Sequence, residues 1–554
     1  MPPREHLVID LVPHHCETTT LGAALCFYAE SDADVGFEFV HADGEHLVLS
    51  ARELEREAAR WASAFSALGV RQTDRVALSI ERVDQFIYAF WGCQLIGAIP
   101  TTLPPFEKSA RIDQQRDQLR GIIAVAKPRL LVVGSQLVEV DALEVGAPVV
   151  AAVAVAAHAS DDFPVVRVAP DAIALIQFTS GSTRTPKGCA LSHHAIIRNA
   201  EAILERGDGC PGDVNVHWVP LSHDMGLMGA VVVPVIGRHR SVVMHPKRFM
   251  MRPLAWVEAL AAHRNVHSSV PNFALRMVAR RAARLALSAD ALTSVKTIIC
   301  GAEPIDPVDV RAFYDALRPH GLAPETFHAS YGMAEATVMV SSSPQGLKTV
   351  AARPRGGADI ETAIAAREYV SVGTPVRGAR IRIVDGDRHS VSEGVAGDVE
   401  LMSDSLMSGY FDDPEATAGK IVGGWLKTGD IGFIEGGDLF IAGRRTDMII
   451  IAGKNVFPAD IEPAIADRLG IDARKVAAFS AEGRHGTEDL IVLVEHQGAD
   501  AQPDMGAAIS RLCDDLCGVA ARDVLFRKSG TIPRTTSGKT RRADLRDLYR
   551  RAAL

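Results

Sequence analysis

Residues 171–192, DAIALIQFTSGSTRTPKGCALS, run from a buried-strand pattern into a turn of Ser, Thr and Gly with one lysine, then toward a helix near His193. Such a turn offers backbone N–H groups, hydroxyls and an ammonium to phosphate oxygens, which is what a nucleoside triphosphate requires. It is not a Walker A loop: Gly181 has no Gly-Lys at the required offset, and the Gly-Lys-Thr at 538–540 has Pro533 where the first glycine belongs. Taken alone, the turn also fits an ordinary polar loop.

Three further segments select the phosphate reading. They are ASYGMAEAT at 329–337, GWLKTGDIGF at 424–433 with GRRTDMIIIAGKNVFPADIE at 443–462, and RTTSGKTRRADL at 534–545. In this order and at these separations, over roughly residues 20–550, the four segments resemble the adenylate-forming superfamily of acyl-CoA ligases, luciferases and peptide-synthetase adenylation domains. The resemblance implies that ATP and a carboxylic acid are joined as acyl-AMP with release of pyrophosphate. Holding two anions together calls for Mg²⁺, donors along the triphosphate and a cation where charge develops.

By the same resemblance, Thr179, Ser180, Gly181, Ser182, Thr183 and Lys187 grip the phosphates, and Glu335 ligates Mg²⁺ through a hard oxygen. Tyr331 stacks on adenine, Gly301, Ala302, Glu303 and Pro304 wall the pocket, and Ser330, Gly332, Met333, Ala334 and Thr337 share it. Asp430 accepts the ribose hydroxyls and Arg444 reaches the ribose or phosphate. Lys539 is the mobile lysine that bridges carboxylate and α-phosphate, and Arg445 with Thr446 forms the hinge on which it moves. His223, beside Asp224, would sit between carboxylate and triphosphate, although on its residues alone the pair reads as a hydrogen-bonded helix start.

GSTRTPKG, with Arg184 where most members have Gly, and YGMAEAT, with Ala334 where most have Thr, resemble the fatty acyl-AMP ligases more closely than the acyl-CoA ligases. VPLSHDMGLMGAVVVPV at 219–235, SSVPNFALRMVARR at 268–281 and CGAEPI at 300–305 agree. That branch implies a fatty acid substrate and transfer to the phosphopantetheine thiol of an acyl carrier protein in lipid or polyketide/nonribosomal-peptide synthesis. A fatty acyl-CoA ligase using coenzyme A is the alternative. Residues 341–369 keep it open, being longer than usual for a CoA ligase and shorter than usual for an acyl-AMP ligase. A non-catalytic acyl-adenylate or nucleotide-binding protein is the alternative of another class, and the presence of Lys187, Glu335, Asp430, Arg444 and Lys539 speaks against it. Met225, Leu227, Met228 and Phe273 are candidates for the acyl channel, or plain core.

The elements that must position these residues follow an α/β rhythm. Residues 51–69 place Leu54, Ala58, Trp61, Phe65 and Leu68 at spacings of three and four before Gly69, an amphipathic helix with a stop. Residues 75–80 read as a strand, 83–96 as a helix, 129–133 and 172–178 as apolar strands, and the apolar run 147–157 as a buried strand or loop. From about 379 the texture turns to short alternating strands at 380–385, 398–402 and 426–441, with a Gly436-Gly437 turn. A compact α+β unit follows, with a helix from Asp460, strands at 476–481 and 489–496 and a final basic helix, whose cations read as a carrier-docking face or a solvated surface.

The expected fold is α/β: a large N-terminal domain (1–443) of mostly parallel sheets with a β-rich subdomain (379–443), then a small mobile α+β domain (447–554). A length of 554 residues demands more than one core, and 47% hydrophobic with 23% charged residues excludes wholesale disorder. A net charge of −9 gives no global reason to bind nucleic acid. Eight cysteines without a CxxC pair speak against a disulfide framework or thiolate zinc, and the N-terminus lacks a signal-peptide core. No apolar run reaches the roughly 20 residues of a membrane span, so a cytoplasmic setting is expected.

Overall fold

Helix Ala51–Ala67 begins where Ser50 and Glu53 exchange hydrogen bonds, the Glu53 N–H donating to Ser50 Oγ at 3.3 Å and the Ser50 N–H to Glu53 Oε2 at 2.8 Å. Leu54, Ala58, Trp61 and Phe65 then face inward and are buried. The computed structural model describes residues 19–31, 35–105, 112–134, 146–158, 160, 166–179, 186–344, 346–352, 355–356, 367–451, 454–482, 488–496, 503–534, 540–551 and 554.

Among the described residues, two large sheets carry the site. The nine-stranded sheet runs in the order Thr374–Pro375, Met339–Ser343, Phe327–Gly332, Val295–Cys300, Val266–Val270, Val214–His217, Arg240–Met244, Gly36–Val40, His46–Ser50. Its middle is parallel and its margins antiparallel. The seven-stranded sheet runs Gly409–Tyr410, Gly188–Ser192, Ile173–Phe178, Ile99–Thr102, Arg75–Ser79, Leu130–Val133, Val149–Ala151. The helices Leu21–Ala29, Ala51–Ala67, Val83–Leu95 and His193–Arg206 lie between the sheets and share one apolar core with both. Helices Leu254–Ala261, Asn272–Ala279 and Pro307–Leu317 cover the other face of the nine-stranded sheet, and Ile112–Ala126 covers the seven-stranded one.

A six-stranded β-rich unit built on Val395–Ser403 and Trp425–Glu435 follows, its long hairpin turning at Gly436 and Gly437, both at positive φ. A short turn, Arg445–Asp447, leads into a three-stranded sheet, Val476–Glu482, Glu488–Glu495 and Asp523–Arg527, packed by Pro458–Leu469, Pro503–Cys517 and Arg542–Arg550.

Two sequence expectations need correction. The run 147–157 is not one strand or loop: Val149–Ala151 adds an edge strand and Ala152–Ala156 turns into helix, because alanine is the best helix former and a short apolar run carries no distinguishing period. The helix expected from Asp460 starts two residues earlier, with Pro458 pre-set for the first turn.

Candidate functional site

The two sheets, the β-rich unit and the C-terminal unit meet at a cavity of about 1330 Å³. A pocket for one ligand occupies roughly 300–1,000 Å³, so there is room for more than one. Thr179 enters it from the end of Ile173–Phe178, its N–H donating to the Lys187 carbonyl at 3.0 Å. Ser180, Gly181, Ser182, Thr183, Arg184 and Lys539 lie outside the described residues.

Glu335 sits on a tight turn, Ala334–Ala336, at the end of the nine-stranded sheet, and Met407 N–H anchors its carbonyl at 2.8 Å. The Tyr410 hydroxyl donates to Glu335 Oε1 at 2.9 Å, and the Lys187 ammonium lies 4.9 Å from the Tyr410 ring centre. Burial and the Glu335 carboxylate push the Tyr410 phenol far above its ordinary range, so it stays a donor. The chain of ammonium, ring, hydroxyl and carboxylate leaves the second Glu335 oxygen for another partner. Thr337, which follows, is β-branched yet adopts φ +69, strain of roughly 1–3 kcal/mol. Its hydroxyl donates to Ser405 O at 2.9 Å and holds the turn.

The Tyr331 hydroxyl donates to Asp430 Oδ2 at 2.6 Å, and Arg444 Nε lies 3.4 Å from Asp430 Oδ1. Burial, reinforced by Asp430, raises the Tyr331 phenol as well. Gly332 is obligatory beside them, since a Cβ there would come within 1.5 Å of the Val338 carbonyl oxygen. Gly301, Ala302, Glu303, Ser330, Met333 and Ala334 complete this wall, and Glu303 Oε1 accepts the Phe273 N–H at 2.6 Å. His223 caps the short helix Asp224–Leu227, with Nδ1 2.7 Å from Asp224 Oδ1, and faces the cavity together with Met225, Met228, Phe273 and Thr446.

Several expected site residues are placed elsewhere. Leu227 is fully buried in the core between the sheets and does not line the channel. Pro304 and Thr337 also lie outside the lining, Thr337 because its hydroxyl is committed internally. Arg445, expected at the hinge and not in the lining, forms a two-pronged pair with Asp398, at 2.6 and 2.7 Å.

The cavity also holds residues that the sequence did not single out. Gln177 donates to Ser222 O at 2.9 Å and so positions the loop that carries His223. Arg474, Lys475, Arg534 and Arg541 reach in from the C-terminal unit. The last two belong to the basic tail expected to be a docking face or solvated surface. They pair the stem on either side of Lys539, Arg534 Nη1 donating to Thr540 Oγ1 at 3.1 Å and Arg541 N–H to Pro533 O at 2.9 Å. Arg276 Nη1 reaches Asp472 at 3.2 Å while the rest of its fork holds Asp309, and the Arg474 guanidinium lies 5.3 Å from the Phe273 ring centre. Tyr410, beside Glu335, carries no sequence signal either, since its partners are about 75 and 220 residues away.

A cavity with a carboxylate turn, a tyrosine–aspartate–arginine cluster and an apolar arm has known counterparts. The family model described as AMP-binding enzyme matches residues 31–411. The chain belongs to the AMP-binding enzymes. The long-chain-fatty-acid–AMP ligase FadD28 of Mycobacterium tuberculosis is 29% identical over 92% of this chain and 93% of its own. The 4-hydroxyphenylalkanoate adenylyltransferase of Mycobacterium marinum is 30% identical over 92% and 87%. A structure from work on fatty acyl-adenylate ligases of E. coli and L. pneumophila superposes with a TM-score of 0.86 at 29% identity, covering 96% of this chain and 98% of that one. This AMP-binding enzyme thus has the mixed α/β adenylation fold of the fatty acyl-AMP ligase structures, and its relatives include fatty acyl-AMP ligases. AMP-binding enzymes use ATP. Among the described residues no helix is long and apolar enough to cross a membrane.

Proposed function

We propose that the protein couples a carboxylic acid with an extended tail to ATP, releases pyrophosphate, and passes the acyl group from acyl-AMP to the phosphopantetheine thiol of an acyl carrier protein. The observation that carries this reading is that one cavity joins Tyr331 and Arg444, both held by the buried Asp430 behind them, and Glu335 to apolar side chains of Met225, Met228 and Phe273 and to cations of the C-terminal unit.

Asp430 accepts the ribose hydroxyls in exchange for its bond from Tyr331, and the Tyr331 ring covers the adenine. Arg474, Lys475, Arg534 and Arg541 offset the charge of triphosphate and carboxylate brought together. Glu335, whose free oxygen is a hard ligand, suits a Mg²⁺ that keeps several waters and takes one carboxylate plus phosphates. Bound there, Mg²⁺ would neutralise phosphate charge. His223 orients the acid's carboxylate, and Lys539, carried between Arg534 and Arg541, bridges it to the α-phosphate. Thr179, Lys187 and the loop between them grip the outgoing pyrophosphate.

The N-terminal domain (1–443, β-rich from about 379) then stays fixed while the C-terminal domain (447–554) turns about Arg445 and Thr446 to admit the thiol. A carrier is favoured over coenzyme A because strands Thr349–Ala352 and Arg367–Val370, from the segment after the glutamate, pair with each other, and Tyr369 packs with Phe433 in a cluster that includes Phe457 beyond the hinge. That cluster ties the turning domain to the β-rich unit. Mass spectrometry of products formed with ATP, Mg²⁺, a ladder of acids and excess coenzyme A tests this. Accumulated acyl-AMP supports the carrier reading, and acyl-CoA identifies a CoA ligase. Lys539→Ala should abolish adenylation while largely sparing transfer from preformed acyl-AMP, and equal loss in both steps would refute its role.

A further inference from the structure

A parallel sheet covered on both faces ordinarily carries apolar side chains on both. The nine-stranded sheet breaks that rule on one face. Register sets His267 beside Asn215 and Thr297, Ser269 beside Ile299, and Ile299 beside His328, so these side chains share a face, and His217 lies two residues along from Asn215. All five polar residues and His217 are buried. The opposite face, with Val216, Val270 and Ile298, is apolar core. Asn215, His217, His239 and His267 line the same cavity, and Asn215, His239 and His267 stand at the starts of parallel strands in the sheet whose strand Phe327–Gly332 carries Tyr331 near its end.

The helical run over this face explains part of the polarity. Pro234 has no N–H, so neither the Ala230 nor the Gly229 carbonyl can be satisfied from position 234, and the run widens into a π-turn, Met228–Val232. Ser241 Oγ donates to Ala230 O at 2.7 Å, and Asn215 Nδ2 donates to Gly229 O at 3.3 Å. With the Asn215 amide nitrogen fixed in this way, its Oδ1 must accept from His239 Nδ1–H, 2.6 Å away. His239 Nε2 is therefore a bare lone pair. It has no partner, and neither does His217 Nε2, whose Nδ1 is 3.2 Å from Ser269 Oγ. Both rings are at most 2% exposed. Burial, with His267 nearby, pushes His217 down to about 3 and His239 down as well, so both stay neutral. Gly229 leaves the space the His217 ring fills, since a Cβ there would lie 2.6 Å from its Cε1.

Two neutral imidazoles with open nitrogens at the end of an apolar arm do not suit a methyl terminus, which would leave both unpaired, nor a second carboxylate, which would be buried without a cation. We propose that the acid this enzyme activates carries a neutral hydroxyl, aliphatic or phenolic, at the end remote from its carboxyl group, donating to His239 Nε2 and lying against His217. The proposal rests on the adenylation reading and adds the substrate class to it.

Pyrophosphate exchange on the full-length enzyme tests it with matched acids: ω-hydroxy against unsubstituted fatty acids, and 4-hydroxyphenyl- against phenylalkanoic acids, each across a ladder of lengths. At the length that spans the arm, the hydroxylated member should have a kcat/KM at least tenfold higher. Response of the aliphatic pair alone identifies an ω-hydroxy acid, and of the aryl pair alone a phenol. That ratio should fall at least tenfold in His239→Leu and several-fold in His217→Leu. No preference in the wild-type enzyme at any length, which requires neither variant to fold, overturns the proposal and leaves trapped water as the partner of both rings. A preference that survives both variants overturns the assignment to these histidines. Exchange with no acid of any kind overturns the adenylation reading beneath it, whereas exchange with plain acids alone leaves that reading standing.

Discussion

At the scale of single residues, the site works by keeping donors protonated beside carboxylates. Tyr410 donates to Glu335 and Tyr331 to Asp430, and burial with the adjacent negative charge ensures that neither phenol ionises near neutral pH. Glu335→Gln removes the charge a Mg²⁺ needs and should lower kcat for pyrophosphate release at least about 100-fold. Tyr410→Phe keeps that charge but frees the carboxylate to wander. The expected outcome is a several-fold rise in the Mg²⁺ concentration for half-maximal rate with a smaller loss of kcat, read from Mg²⁺ titrations of both variants.

At the scale of elements, the amphipathic helix, the parallel strands and the β-rich turn were legible because their signals are local: a period, a cap, a pair of glycines. Glu335, Asp430 and Arg444 were legible because each sits in a compact motif. Tyr410, Gln177, Arg474 and the buried histidines were not, since each gains its role from a partner tens to hundreds of residues away, and a histidine in a strand looks the same whether it meets solvent or a cavity. The acyl-channel candidates show the same limit: Met225 and Met228 face the cavity, while Leu227 between them turns into the core. The proposed hinge is an element too. Asp398 grips Arg445 with two bonds across it. Asp398→Asn should loosen this grip and speed tryptic cleavage after Arg444 or Arg445 several-fold, measured by limited proteolysis, with little change in the melting of the sheets.

At the scale of the molecule, stability should respond to acid in two separate windows. Burial holds His193, His217 and His328 down at about 4, 3 and 4, against roughly 6.5 in the unfolded chain. Below about pH 6.5 the unfolded chain binds protons that the folded one refuses, so stability is full above that pH and falls as it drops, by about 1.4 kcal/mol per pH unit per histidine. Asp472 behaves oppositely in cause but not in direction: ion pairing and hydrogen bonds outweigh its burial and hold it down at about 2, and its contribution is lost only below about pH 4. Urea midpoints should therefore already fall between pH 6.5 and 4.5, and His328→Gln should flatten that slope by about one histidine's share. The cavity spans these scales in one further respect. Asn215, His217, His239 and His267 all belong to the N-terminal domain, while Arg474, Lys475, Arg534 and Arg541 reach the cavity from the other side of the proposed hinge. On the proposed reading, the histidines that would gauge the acid's tail and the cations that move are carried on separate parts, and a new tail specificity can be sought at positions 217 and 239 without touching the C-terminal unit.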